Sequence, residues 1–152
     1  MTRRAIAFLG IFLAGVAAGS TLAAKAAPVR KHINLPGRAV AAPFSDAVLV
    51  GDTLYLAGRI GFLTGTRQVP ATAEEEARLL LDQFKTVLAE AGMTMGDMVS
   101  VQVFCSDVKH FDTWNKIYPT YFGKELPARA FIGSGPLLFG ARFEMQGIAV
   151  RR

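Results

Sequence analysis

The 152-residue chain contains one cysteine and two histidines. A lone Cys105 excludes an intramolecular disulfide, and no Cys/His pair or His-Glu-x-x-His run supplies a zinc set. No serine sits in an elbow motif, and a Ser-His-Asp triad would have to draw on His32 or His110. A phosphate loop is missing too: Gly133-Ser134-Gly135 runs into Pro136 with no Lys-Ser/Thr partner. Internal repeats, low-complexity tracts and domain linkers are absent, and the length fits one domain. Positive charge is also scarcer than the net +5 suggests. Arg3, Arg4 and Lys25 carry three of those charges with no acid among residues 1–26, so residues 27–152 keep only +2. That excess is too small to point to nucleic acid. The aromatic side chains recur at helix and strand spacing, as core residues do, and not as a base-stacking platform.

What is present begins with a leader pattern. Thr2-Arg3-Arg4 is basic, Ala5 to Ala18 is apolar apart from Gly10 and Gly15, and Ala24-Lys25-Ala26 offers a small-x-small cleavage site. That order is expected of a signal peptide over residues 1–26, followed by an N-terminal extension over 27–42 and a domain over 43–152. Cleavage would place the mature chain in the periplasm or outside the cell, with no stable membrane insertion. An uncleaved anchor is the alternative, because Ala5 to Ala24 is 20 residues, about the length that spans a bilayer. Cys105 lies in an apolar strand pattern, and a buried thiol tolerates an oxidising compartment.

The mature chain predicts an order β-β-α-β-α-β-β. A short strand is expected at Ile33–Leu35. Gly51-Asp52 between two apolar runs predicts a hairpin of Ala47–Val50 and Thr53–Ala57. Ala73, Ala77, Leu80, Leu81, Phe84, Val87, Leu88 and Ala91 recur at helical spacing. Thr72 with Glu75 forms a capping box, Glu74, Glu75 and Glu76 suit the positive end of the helix, and Gly92 stops it. Met98 to Ser106 reads as a strand with Val99, Val101, Val103 and Cys105 on its core face. A second helix from Val108 to Phe122 should kink or end at Pro119. Two helices can cover only one face of the sheet, yet the strands look apolar on both, so the uncovered face is expected to pack in an oligomer.

The chemistry concentrates in Pro127–Gln146, two short apolar strands joined by a Gly/Pro-rich loop. The first carries a lone arginine, Arg129, and the second a carboxylate, Glu144. Strand pairing would bring them near one site, where the planar guanidinium suits a carboxylate or phosphate and a glutamate can orient or deprotonate water. A structural ion pair, or an arginine pointing to solvent, is the more usual explanation of lone charges in strands at this level.

Pro43-Phe44-Ser45-Asp46-Ala47-Val48, Leu56-Ala57-Gly58-Arg59-Ile60, Val103-Phe104-Cys105-Ser106-Asp107, Asn115-Lys116-Ile117-Tyr118, Tyr121-Phe122-Gly123, Pro127-Ala128-Arg129 and Phe143-Glu144-Met145-Gln146-Gly147-Ile148-Ala149 follow one another in order. In these segments the chain resembles the Rid family, the reactive intermediate deaminases also called the YjgF family. The match runs from about Ala42 to Arg152. The resemblance implies an α+β chorismate-mutase-like fold: a mixed sheet of about six strands, two helices on one face, and a homotrimer with clefts between subunits. It also implies hydrolysis of small 2-imino or enamine acids to 2-oxo acids and ammonia, with no cofactor and no metal.

By the same resemblance Arg129 holds the substrate carboxylate and Glu144 positions or activates water. Gly58 lines the pocket, and Asn115 matches an asparagine of the second helix. Four positions depart from the family pattern. Phe44 replaces a tyrosine, Ala57 a serine, Phe131 a cysteine, and Gln146 the second acid of a Glu-x-Glu. They make the expected pocket more apolar and bulkier. The alternative reading is a non-catalytic trimer that binds small carboxylates or protects proteins in the periplasm. RNA cleavage, also attributed to some family members, is disfavoured by the mature charge of +2 and the export signal.

Overall fold

The computed structural model describes residues 27–36 and 42–152. The expected signal peptide over residues 1–26 therefore lies outside the described residues, as does the stretch 37–41 of the N-terminal extension. The elements are β1 (Arg30–Ile33), β2 (Ala47–Val50), β3 (Thr53–Ile60), α1 (Ala73–Glu90), β4 (Met98–Cys105), α2 (Phe111–Ile117), β5 (Ala128–Gly133) and β6 (Phe143–Val150). The strands form one six-stranded sheet in the order β1-β2-β3-β6-β4-β5. All neighbours are antiparallel except β4 and β5, which run parallel because α2 carries the chain back between them. The chain is thus α+β with a mixed sheet, as expected.

Local chemistry explains each element. Gly51 takes φ +59 in the turn that closes Val50 against Thr53. At α1 the Thr72 hydroxyl accepts from the Glu75 amide at 3.2 Å and donates to the Glu75 carboxylate at 3.0 Å. Gly92, at φ +69, follows its end. Ala77, Leu80, Leu81, Phe84, Val87 and Leu88 are buried against the sheet. The second helical segment breaks where Pro119 predicted: α2 ends at Ile117 and a 3-10 turn spans Tyr118–Tyr121.

Two expectations are corrected. The first strand lies at Arg30–Ile33 and not Ile33–Leu35, because the Leu35 amide leaves the sheet to bond the Asp46 carboxylate at 2.7 Å. On β4, the pairing with β6 is irregular between Met98 and Ser100. That irregularity turns Met98 inward and leaves Val99 45% exposed, so Val99 does not share the core face of Val101, Val103 and Cys105.

The third glutamate of the α1 start does more than favour a helix terminus. Glu76 is fully buried. Its carboxylate accepts from the backbone amides of Arg142 (2.7 Å) and Phe143 (3.0 Å) and from Arg142 Nη1 (2.8 Å). The Arg142 guanidinium also donates to the carbonyls of Pro70 and Ala71 at 3.0 and 2.9 Å. This knot fixes the first residue of β6 to the first turn of α1, and with it the position of Glu144.

Glu76→Ala should destabilise the fold by about 3–5 kcal/mol in urea unfolding, since it strands buried backbone donors and removes the counter-charge of the part-buried Arg142. A loss under about 1 kcal/mol would show that the knot does not hold β6.

Candidate active site

Arg129 lies on β5, opposite Val101 of β4 in parallel register. Val101 is 1% exposed in the helix-covered core, so Arg129 also points towards the helices. Its Nη2 donates to Asn115 Oδ1 of α2 at 2.7 Å, and its guanidinium stacks 4.7 Å from the Tyr118 ring. Phe131, two residues on, lies 5.8 Å from the guanidinium and meets the Phe111 ring edge-to-face at 5.1 Å. Burial pushes the Tyr118 hydroxyl up to about 12, with the Arg129 charge opposing it, so this neighbour stays neutral. No carboxylate among the described residues pairs with Arg129. Its cation is oriented by an amide and two rings and is left electrostatically uncompensated.

Glu144 is the second residue of β6, opposite Phe104 on one side and Ile60 on the other. It alternates with the buried Phe143 and Met145 and so faces away from the helices. Gly58 sits where the β3–β6 pairing shifts between Leu56 and Arg59. A Cβ at Gly58 would overlap the Glu144 carboxylate oxygen, so only glycine lets that carboxylate rest against β3. Asp46 holds the irregular stretch in place: its carbonyl accepts from Ala57 N at 3.0 Å and its carboxylate from Arg59 Nη1 at 2.7 Å. Phe44, two residues before Asp46, is thereby carried to this end of the sheet and is 55% exposed. Burial raises the Glu144 carboxyl above its ordinary value, with no cation lowering it. Gln146 follows on the same face, its Nε2 donating to Gln102 Oε1 at 2.5 Å.

The structure corrects one expectation directly. Strand pairing does not bring Arg129 and Glu144 together, because β5 and β6 are not neighbours: β4 lies between them. The β5 residue level with Glu144 is Ile132, through Phe104. Arg129 is therefore about 10 Å away along the strands and about 10 Å across them. The two side chains also leave opposite faces of the sheet. Within one chain the predicted residues fall into two separate groups. Arg129, Asn115 and Phe131 make one; Glu144, Gly58, Phe44 and Gln146 make the other. Tyr118, the platform beneath Arg129, was not singled out from the sequence, although its spacing of three from Asn115 on one helical segment was the available signal. Among the described residues no cluster of His, Cys, Asp and Glu could hold a metal ion.

Comparison with known proteins identifies relatives of the whole fold. The family model described as Endoribonuclease L-PSP matches residues 36–151. The 2-iminobutanoate/2-iminopropanoate deaminase of Rattus norvegicus is 39% identical over 109 residues, covering 71% of this chain and 80% of that protein. The crystal structure of the YjgF gene product from E. coli superposes with a TM-score of 0.73 at 31% identity, covering 80% of this chain and 99% of that one. That of RidA from an Antarctic Psychrobacter gives 0.70 at 26% identity, covering 74% and 92%.

The raised Glu144 carboxyl has a thermodynamic signature. Ionising it costs more in the folded than in the unfolded state, so its contribution falls as pH rises above the ordinary glutamate value and through the raised one. Glu144→Gln does not titrate. Its stability relative to the parent should therefore climb as pH rises above the ordinary glutamate value and level off once the parent carboxyl is ionised in both the folded and the unfolded state. A difference that is flat, or that falls with pH, would contradict the assigned cause.

Proposed function

Because the chain belongs to the Endoribonuclease L-PSP family, which includes the YjgF and Rid proteins, we propose that it is a hydrolytic deaminase of small 2-imino or enamine acids. The products are 2-oxo acids and ammonia. The reaction takes place in a homotrimer, in clefts where the Arg129 half-site of one copy meets the Glu144 half-site of the next. The observation that carries this reading is the Arg129 guanidinium. It is oriented by Asn115 and Tyr118, and no carboxylate among the described residues neutralises it. A 2-imino acid brings that carboxylate. The uncovered sheet face supports the assembly: Tyr55, Ile132 and Val150 are exposed large apolar side chains on strands whose other face is core.

The chemistry asks little of the protein. The substrate C=N carbon is already electrophilic. Arg129 would hold the carboxylate in a bidentate pair and fix which end of the molecule meets Glu144. Glu144 would take a proton from water as the C–O bond forms and pass it to the imine nitrogen, giving a carbinolamine. It would then move the carbinol hydroxyl proton to that nitrogen as the C–N bond breaks, leaving the 2-oxo acid and ammonia. A carboxyl raised by burial suits both directions of transfer. No step needs a cofactor, metal or nucleic acid.

The mature chain, expected in the periplasm or outside the cell, should accelerate ammonia release from imines generated by an amino-acid oxidase. Arg129→Ala should cut kcat/KM about 10- to 150-fold, the worth of a hydrogen bond to a charged group. No acceleration over buffer would overturn the assignment. If 2-oxo acids raised the unfolding temperature without turnover, and Arg129→Ala abolished that shift, the chain would be a carboxylate-binding protein instead.

A further inference from the structure

Phe139 adopts φ +59, ψ 22, the left-handed region that a bulky side chain rarely occupies. It is 52% exposed, and its neighbour Leu138 is 68% exposed. Nothing in chain reversal requires an aromatic residue here, since Gly140 directly follows at φ +69. The ring is nevertheless held. Phe62 meets it edge-to-face at 5.4 Å, and the Arg67 guanidinium lies 5.5 Å from its centroid. A strained backbone that presents a braced, exposed apolar side chain is a feature of recognition surfaces.

Its position says what it recognises. The 3-10 turn Leu138–Gly140 closes through Ala141 N to Leu138 O at 3.1 Å and feeds straight into Phe143 and Glu144. On the other side of Glu144, Ile60 is its pairing partner on β3, and Phe62 follows two residues later. The contact between Phe62 and Phe139 thus spans the end of β6 at which Glu144 is held. Phe44 reaches this end through Asp46 and Ala57. Phe44 at this end is itself a large apolar side chain, 55% exposed.

We propose that Leu138, Phe139 and Phe62 form the wall that receives the substrate side chain, so that the chain prefers 2-imino acids bearing large apolar or aromatic side chains. This rests on the deaminase reading above and assigns the substrate class of that same site. A two- or three-carbon side chain leaves the wall wet. A branched or aromatic one covers it, and discrimination of this kind reaches about 10-fold or more for each methylene a pocket buries.

The test is kcat/KM for imines made in situ by an amino-acid oxidase from alanine, leucine and phenylalanine. The parent should favour the leucine- and phenylalanine-derived imines over the alanine-derived one by at least about 10-fold. Phe139→Gly, whose backbone suits the positive φ, and separately Leu138→Ala should each move that ratio towards one, with unfolding temperatures no lower than a few degrees below the parent. Equal use of the three imines by the parent would overturn the proposal, as would a ratio that neither variant changes. If no imine is hydrolysed at all, the deaminase reading fails on its own. The wall is then judged by binding: phenylpyruvate and 4-methyl-2-oxopentanoate should bind at least about 10-fold tighter than pyruvate, and equal affinities would refute it.

Discussion

The buried Glu76 carboxylate is the constraint on which the rest of the architecture depends. An acid with no exposed surface is tolerated only when its oxygens are saturated, and here two backbone amides and a guanidinium do so. The amides belong to Arg142 and Phe143, the last loop residue and the first strand residue before Glu144. A single side chain on the first turn of α1 therefore sets where β6 enters the sheet. That entry point fixes the register of Glu144 against Ile60 and Phe104. Close packing reinforces the same junction: a Cβ at Gly61 would collide with the Glu76 backbone carbonyl, so β3 and α1 approach as closely as glycine allows.

The second constraint is the parallel crossover. Because α2 returns the chain to run β5 alongside β4, the arginine strand becomes an edge strand, two positions from the glutamate strand. Side-chain alternation then sends Arg129 to the helix face and Glu144 to the open face. An arginine without a counter-charge and a carboxyl raised by burial are each poorly satisfied in isolation. In the proposed assembly a second copy over the open face would meet Glu144 and take the exposed apolar side chains of that face out of water, and a carboxylate substrate would supply the counter-charge of Arg129.

Much of the fold was legible from periodicity and turn chemistry. Gly51-Asp52 marked the hairpin, the Thr72–Glu75 pair the start of α1, Gly92 its end, and Pro119 the break after α2. The misreadings have physical causes. The irregularity at Met98–Val99 reverses two side chains without altering composition, which alternation cannot reveal. Helix-dipole reasoning groups Glu76 with its two neighbours, although its spacing of four from Leu80 places it on the apolar stripe, where an acid demands a partner. The sequence marks Arg129 and Glu144 as the chemically active residues of their strands, but closeness in sequence does not make two strands neighbours in a sheet. Only the sheet order shows that β4 separates them. The positive φ of Phe139 left no trace in the sequence beyond the glycine that follows it.

The central claim is that one catalytic cleft draws Arg129 and Glu144 from different copies of the chain. Subunit mixing tests it most directly. Arg129→Ala and Glu144→Gln chains, each nearly inactive alone, are unfolded together, refolded and assayed for imine hydrolysis. Random assembly should restore about a quarter of the parental activity, the chance that a cleft receives an intact residue from each side. Mixed oligomers no more active than the two variants refolded separately would contradict the claim.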